Sequence, residues 1–123
     1  MGDRAVIGVT HPTSKTPIFL YTHWRGAEIC QVLAEGLESA SAMGRLTDYE
    51  YATRIVFDTL TSCSGGATGF GICIGSHPAD VQYDIPHITW GDRGQPTIAY
   101  QGQVVSVGDF VSRFTRNTAG LGA

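Results

Sequence analysis

The sequence predicts an α+β fold: a mostly antiparallel sheet with two helices packed on one face. Three observations predict it. Short apolar runs of strand character open the chain and recur through its second half. Between them, two stretches of roughly 3.6-residue periodicity follow one another. Glycine, at 16 of 123 residues, punctuates the β-rich parts. Two helices in succession, flanked by strands on both sides, belong on one side of a sheet.

Each element has its own justification. Residues 4–10 (RAVIGVT) read as a first strand, and 11–17 (HPTSKTP) as a turn, with two prolines among small polar residues. Residues 18–22 (IFLYT) are a second strand, hairpinned to the first. From Ala27 the period changes. Ile29, Val32, Leu33, Gly36, Leu37 and Ala40 recur on one helical face, with Glu28, Glu35 and Glu38 mostly on the others. Residues 43–46 (MGRL) break that helix. Thr47-Asp48-Tyr49-Glu50 has the form of a capping box, with Thr47 as N-cap. The helix it opens sends Tyr51, Ala52, Ile55, Val56 and Leu60 inward, and SCSGG at 62–66 marks its end.

The second half reads as β structure. Residues 68–75 (TGFGICIG) form a short strand. Residues 81–90 are extended, with Pro86 placing them at an edge or a bulge. Residues 96–100 and 103–107 form a hairpin across Gln101-Gly102. Residues 109–114 suit a last short helix, and 116–123 a flexible tail. With no repeat or linker, residues 1–123 read as a single domain, long enough for a core of its own.

Composition excludes several classes of function. Only 15% of residues are charged, against about 25% in ordinary domains. Net charge is −3 and the basic residues are scattered, so no duplex nucleic acid is expected as partner. No apolar run reaches membrane-spanning length and no leader pattern is present, so the chain reads as cytoplasmic. Cys30 and Cys73 read as small buried hydrophobes and Cys63 as the exposed one, with no disulfide among them.

The chemistry concentrates in IFLYTHWRG. The second strand breaks straight into Tyr21, Thr22, His23, Trp24 and Arg25, then Gly26, at the N-terminus of a helix. Packing gives no reason to gather a phenol, a hydroxyl, an imidazole, an indole and a guanidinium there. A binding site gives one, because a helix N-terminus supplies free N–H groups for an anion. Trp24 suits stacking on a planar ligand and Arg25 a phosphate contact. Arg54, on the second helix, is a further candidate, with Asp58 four residues on as its pairing partner. Thr68, Gly69, Phe70 and Gly71 place glycines on both sides of an aromatic, which lets a ligand approach the backbone closely. Each has a plain structural alternative: a tryptophan plugging the hinge, a snorkelling arginine, a strand kink. Metal chemistry has little support. His77, Asp80, Asp84 and His87 surround one loop, but no ligand spacing such as HExxH or CxxC occurs, and neither metal nor cofactor is expected.

The order IFLYTHWRG, amphipathic helix, DYEYATRIVFDTL, TGFGICI resembles a family of small proteins carried by tailed phages and prophages of actinobacteria. In that family a strand ending in Tyr precedes a Ser/Thr-His-Trp-Gly-Gly run. A helix with an Ala-Arg-Ile core and a Thr-Gly-x-Gly-Ile strand follow. The likeness covers about residues 4 to 90, and this chain departs from it at Arg25. The resemblance implies a setting, the cytoplasm of an infected bacterium, and no activity.

Three functions follow as expectations. The first is a binder of a small anionic, nucleotide-like ligand, of the kind that sequesters a second messenger of host defence. The second is a hydrolase on such a substrate, with His23 as acid or base and Arg25 stabilising developing charge. The third is an interaction protein or symmetric homo-oligomer, since Trp, Tyr and Arg are also the anchors of protein interfaces.

Overall fold

The computed structural model describes residues 2–62, 69–91 and 94–115. Thr68, Cys63 and the tail at 116–123, all singled out in the sequence, lie outside the described residues. The elements run β1 (Ala5–Thr10), β2 (Ile18–Thr22), a single 3-10 turn (Gly26–Glu28), α1 (Ile29–Ala42), α2 (Tyr49–Thr61), β3 (Phe70–Ile74), β4 (His87–Thr89), β5 (Thr97–Tyr100), β6 (Gln103–Ser106) and α3 (Val107–Phe114). One sheet holds all six strands in the order β3-β2-β1-β4-β5-β6. Every neighbouring pair is antiparallel except β1 and β4, which run parallel with Gly8 opposite His87.

The hydrophobic pattern explains the layering. Ala5, Ile7, Val9, Leu20, Ile88 and Ile98 share one sheet face and form one core cluster with the helices. All six positions assigned to the inner face of α1 are buried, Gly36 among them. A Cβ on Gly36 would lie 2.9 Å from the Val56 Cα, so the glycine lets α1 and α2 approach backbone to side. On α2, Ala52, Ile55, Val56 and Leu60 are buried as the periodicity requires. The hairpin turn between β5 and β6 puts both Gln101 (φ 51°) and Gly102 (φ 80°) in the left-handed region. Both central residues of a type I′ turn need that region, so glycine is well placed second.

Several local expectations are corrected. Tyr51 is exposed, because it sits about 100° around α2 from the Ala52 position; its ring lies under the Arg45 guanidinium, 4.8 Å away. The N-cap of α2 is Asp48, not Thr47, and no side chain caps it, so the capping box does not form. The strand after Pro86 is central, flanked by β1 and β5. Pro86 escapes the usual penalty by standing one residue before β4 and using only its carbonyl, which accepts from Gly8 N–H at 2.9 Å. Cys73 is half-exposed on β3, the outermost strand on its side, and not a core residue; Cys30 is buried, and both are free thiols. α3 starts at Val107, two residues earlier than expected. Ser106 caps it, its hydroxyl accepting from Asp109 N–H at 3.1 Å. This third helix packs against α1 and sends Val107 and Phe110 into the core cluster. Among the described residues no helix is long and apolar enough to cross a membrane.

The second sheet face is not bare. Residues 75–86 return across it, with the His77 ring against Phe19 (centroids 5.2 Å) and Gln82 N–H donating to the Arg4 carbonyl at 2.9 Å. His87 lies over Gly8 on the same face, Nε2 hydrogen-bonded to Thr10 Oγ1 at 2.6 Å, and burial pushes its pKa down.

Candidate functional site

The IFLYTHWRG residues divide into two groups with different work. Tyr21, His23 and Trp24 form an aromatic row across the end of β2, Tyr21 within the strand and the other two just beyond it. Tyr21 Oη and His23 Nδ1 are hydrogen-bonded at 2.9 Å, and the His23 ring meets the Trp24 ring edge to face with centroids 4.3 Å apart. The backbone fixes this row from both sides. His23 N–H donates to the Gly69 carbonyl at 2.8 Å, and its own carbonyl accepts from Asp3 N–H at 2.7 Å. Trp24 is 52% exposed, yet it rests against Gly69, where a Cβ would come within 2.8 Å of the indole. Gly69 therefore seats the ring. Gly71, opposite Tyr21 on β3, has open space where its side chain would be.

Thr22, Arg25 and Gly26 face inward. Thr22 is fully buried, and its hydroxyl accepts from the N–H groups of Trp24 (3.2 Å) and Arg25 (3.1 Å), which turns the strand toward the helix. The Arg25 side chain is only 16% exposed. Its guanidinium donates to the carbonyls of Thr59 (3.1 Å) and Leu60 (3.2 Å) and pairs with Glu28 at 2.9 Å. Those carbonyls lie in the last turn of α2, where the helix dipole is negative, and the Thr59 carbonyl also accepts from the N–H and hydroxyl of Ser62. Arg25 thus ties the start of α1 to the end of α2. A guanidinium held this way is not poised to neutralise charge on a substrate.

The helix N-terminus is an anion seat, and the chain fills it itself. Asp3 Oδ2 accepts from Ala27 N–H at 2.9 Å, and the Asp3 carbonyl accepts from Gly26 N–H at 2.7 Å. A Cβ at position 26 would fall 2.5 Å from that carbonyl oxygen, so glycine is required for the contact. Tyr83 Oη donates to the other Asp3 oxygen. The Tyr83 hydrogen bond and then the Ala27 N–H hold the Asp3 carboxyl below its ordinary 3.8. Because the folded-state value is depressed, the stability from this contact is complete above the ordinary value and is lost as pH falls through the lower, folded one. Asp3→Asn is therefore expected to flatten the acid side of a stability–pH profile, with the loss largest at neutral pH and vanishing in acid, where the wild-type carboxyl is protonated too, read by denaturant midpoints from pH 2 to 7.

The remaining candidates are dispersed. Arg54 is on the exposed face of α2 and pairs with Asp58, as its spacing predicts; no described contact joins it to the aromatic row. Phe70 is half-buried and packs against the core. The residues around the 77–87 loop are each engaged separately: Asp80 with Arg4 at 3.4 Å, Asp84 with Gln101 at 2.9 Å, His77 with its neighbour's carbonyl, His87 with Thr10. Among the described residues no three His, Cys, Asp or Glu side chains are grouped to hold a metal.

Asp3 and Tyr83 were missed in the sequence. They meet across 80 residues and no local pattern marks either. A cavity of about 420 Å³ was missed too, between the β1–β2 turn and the first turn of α2. Residues 11–17 read only as a turn and residues 47–50 only as a cap, and nothing local says that the two face each other. Comparison with protein-family profiles, curated proteins and solved structures finds no match to this chain.

Proposed function

We propose that the protein binds a small nucleotide-type ligand by its planar ring, laid against the Tyr21–His23–Trp24 row. The phage-family likeness makes a sponge for a second messenger of host defence the natural setting. The observation that carries this reading is Trp24, an indole kept half in solvent yet braced by His23 on one side and Gly69 on the other. A tryptophan serving only to plug the hinge has no reason to stay so exposed. Stacking of a base on such a ring is worth about 1–3 kcal/mol. Since Asp3 occupies the helix N-terminus and Arg25 is committed to α2, recognition rests on the ring more than on the phosphate.

Cyclic nucleotides and ADP-ribose derivatives, titrated against tryptophan fluorescence and by calorimetry, test the proposal. Trp24→Ala is expected to abolish binding while costing about 1–2 kcal/mol of stability, against about 3–5 kcal/mol for truncating a buried tryptophan. Uniform failure to bind by a folded protein removes the reading. Recovery of the ligand unchanged after denaturation separates binding from turnover at His23.

A second reading, a homo-oligomer, draws on the outer edge of β3, which pairs with no further strand among the described residues. Ile72 and Ile74 are 54% and 76% exposed there, and the strand carries no charged residue to discourage pairing. Light scattering on wild type and Ile74→Lys tests it, a dimer that the lysine dissociates being the supporting outcome.

A further inference from the structure

β3 closes one end of the sheet, and its pairing with β2 fixes which of its backbone groups face out. His23 N–H donates to the Gly69 carbonyl and Gly75 N–H to the Pro17 carbonyl, both at 2.8 Å, and the residues between them pair one to one. Bonded pairs alternate along an antiparallel ladder, so Gly71 and Cys73 direct their N–H and C=O groups to Tyr21 and Phe19. Phe70, Ile72 and Ile74 therefore turn theirs outward, where no backbone group among the described residues meets them. The side chains follow the same alternation. Phe70, Ile72 and Ile74 share the face of Leu20, with Ile72 and Ile74 largely exposed. Gly71 and Cys73 lie on the other face with Tyr21 and Phe19, and the space where a Gly71 side chain would stand is open.

About Ile72 the strand is self-complementary: large, small, large, small, large (FGICI), without a charge. Edge strands are commonly protected from pairing by a charge or a proline, and a self-complementary patch suits a two-fold axis. Resting on the homo-oligomer reading above, we propose that a second copy of this chain pairs antiparallel with β3 about a two-fold axis at Ile72. Ile72 then faces the partner's Ile72, and Phe70 faces the partner's Ile74, so every outward amide and carbonyl of the strand is paired. An axis at Gly71 or at Cys73 leaves Ile74 or Phe70, respectively, facing residues beyond the partner's strand. An axis between residues sets outward groups against inward ones. On the other face Gly71 meets the partner's Cys73 in a close, non-hydrogen-bonded pair, Cα atoms about 4.5 Å apart. That thiol enters the open space beside Tyr21, so each copy adds a residue to the border of the other's aromatic row. The two Cys73 residues are diagonal neighbours across the axis, Cα atoms about 7–8 Å apart, beyond disulfide reach.

Charge exchange at position 72 tests the axis, on full chains whose fold is checked by circular dichroism. Ile72→Lys and Ile72→Glu are each expected to weaken the dimer at least about tenfold by light scattering, since position 72 faces itself and like charges meet there. Mixed in equal amounts, the two variants are expected to restore it. Gly71→Cys, placed where a side chain has room, is expected to give a disulfide-linked dimer on a non-reducing gel after mild oxidation. Adding Cys73→Ser is expected to abolish that link. A wild type that is monomeric at every concentration overturns the homo-oligomer reading and the pairing together. A wild-type dimer whose charged variants fail to recombine, or whose Gly71→Cys form fails to link through Cys73, overturns the axis and leaves that reading standing. Open chains in place of a closed dimer overturn the two-fold.

Discussion

Phe110→Ala is expected to destabilise the protein by about 3–5 kcal/mol, the largest loss of any single change considered. Phe110 is 1% exposed and is the main anchor of α3. Its ring packs against Phe114 (centroids 4.7 Å) and edge to face against Tyr100 (6.5 Å), joining α3 to the sheet and to the cluster beneath α1. Truncation leaves a void that neighbours on three elements cannot close together, so both the transfer term and the cavity term apply. Urea denaturation followed by circular dichroism measures it, and a lowered midpoint at unchanged slope is the expected form. A loss below about 1 kcal/mol would mean that α3 is held by something other than this aromatic group.

Arg25→Ala is expected to cost about 2–3 kcal/mol, because it removes charge-assisted bonds to two carbonyls at the end of α2. The remaining acceptors lose a partner in a half-buried place, and the favourable placement of a cation at a helix C-terminus goes with it. Arg25→Lys is expected to recover only part, since an ammonium cannot reproduce the fork that meets Thr59, Leu60 and Glu28 together. Faster amide exchange in the last turn of α2 is the local signature. If Arg25→Ala instead leaves stability intact and removes ligand binding, the structural role assigned to Arg25 is wrong.

Arg25 also illustrates what a sequence can and cannot convey. Its position beside Trp24 at a helix start is visible, but its partners lie 34 and 35 residues away at the end of another helix. Asp3 poses the same difficulty: a carboxylate near the start of the chain fills a seat that the local pattern shows as vacant. Features governed by near neighbours were legible. The inner face of α1, the β1–β2 hairpin and the Gln101-Gly102 turn all follow from residues within a few positions of one another. The central place of β4 was hidden because Pro86 carries a strong local signal against it, and only the pairing with Gly8 shows that its missing N–H is not needed. Tyr51 misled through hydrophobicity alone. Within the candidate site, the gathering of Tyr21, His23 and Trp24 was readable, whereas which of their neighbours face inward was not.

The parallel pairing of β1 with β4 has a consequence for how the molecule opens. From β4 onward each strand pairs with its immediate successor, and α3 follows β6 directly. This last quarter of the chain meets the rest of the sheet along a single ladder of three residue pairs, reinforced by α3 on α1. Partial unfolding is cheapest along such a seam, since contacts inside each part survive while only those across it are lost. The β4–β6 and α3 segment is thus expected to open as one unit, with its amides exchanging together and ahead of those in β1 and β2, which native-state hydrogen exchange would read. The aromatic row lies on the other side of that seam, so its geometry is insulated from the fluctuation.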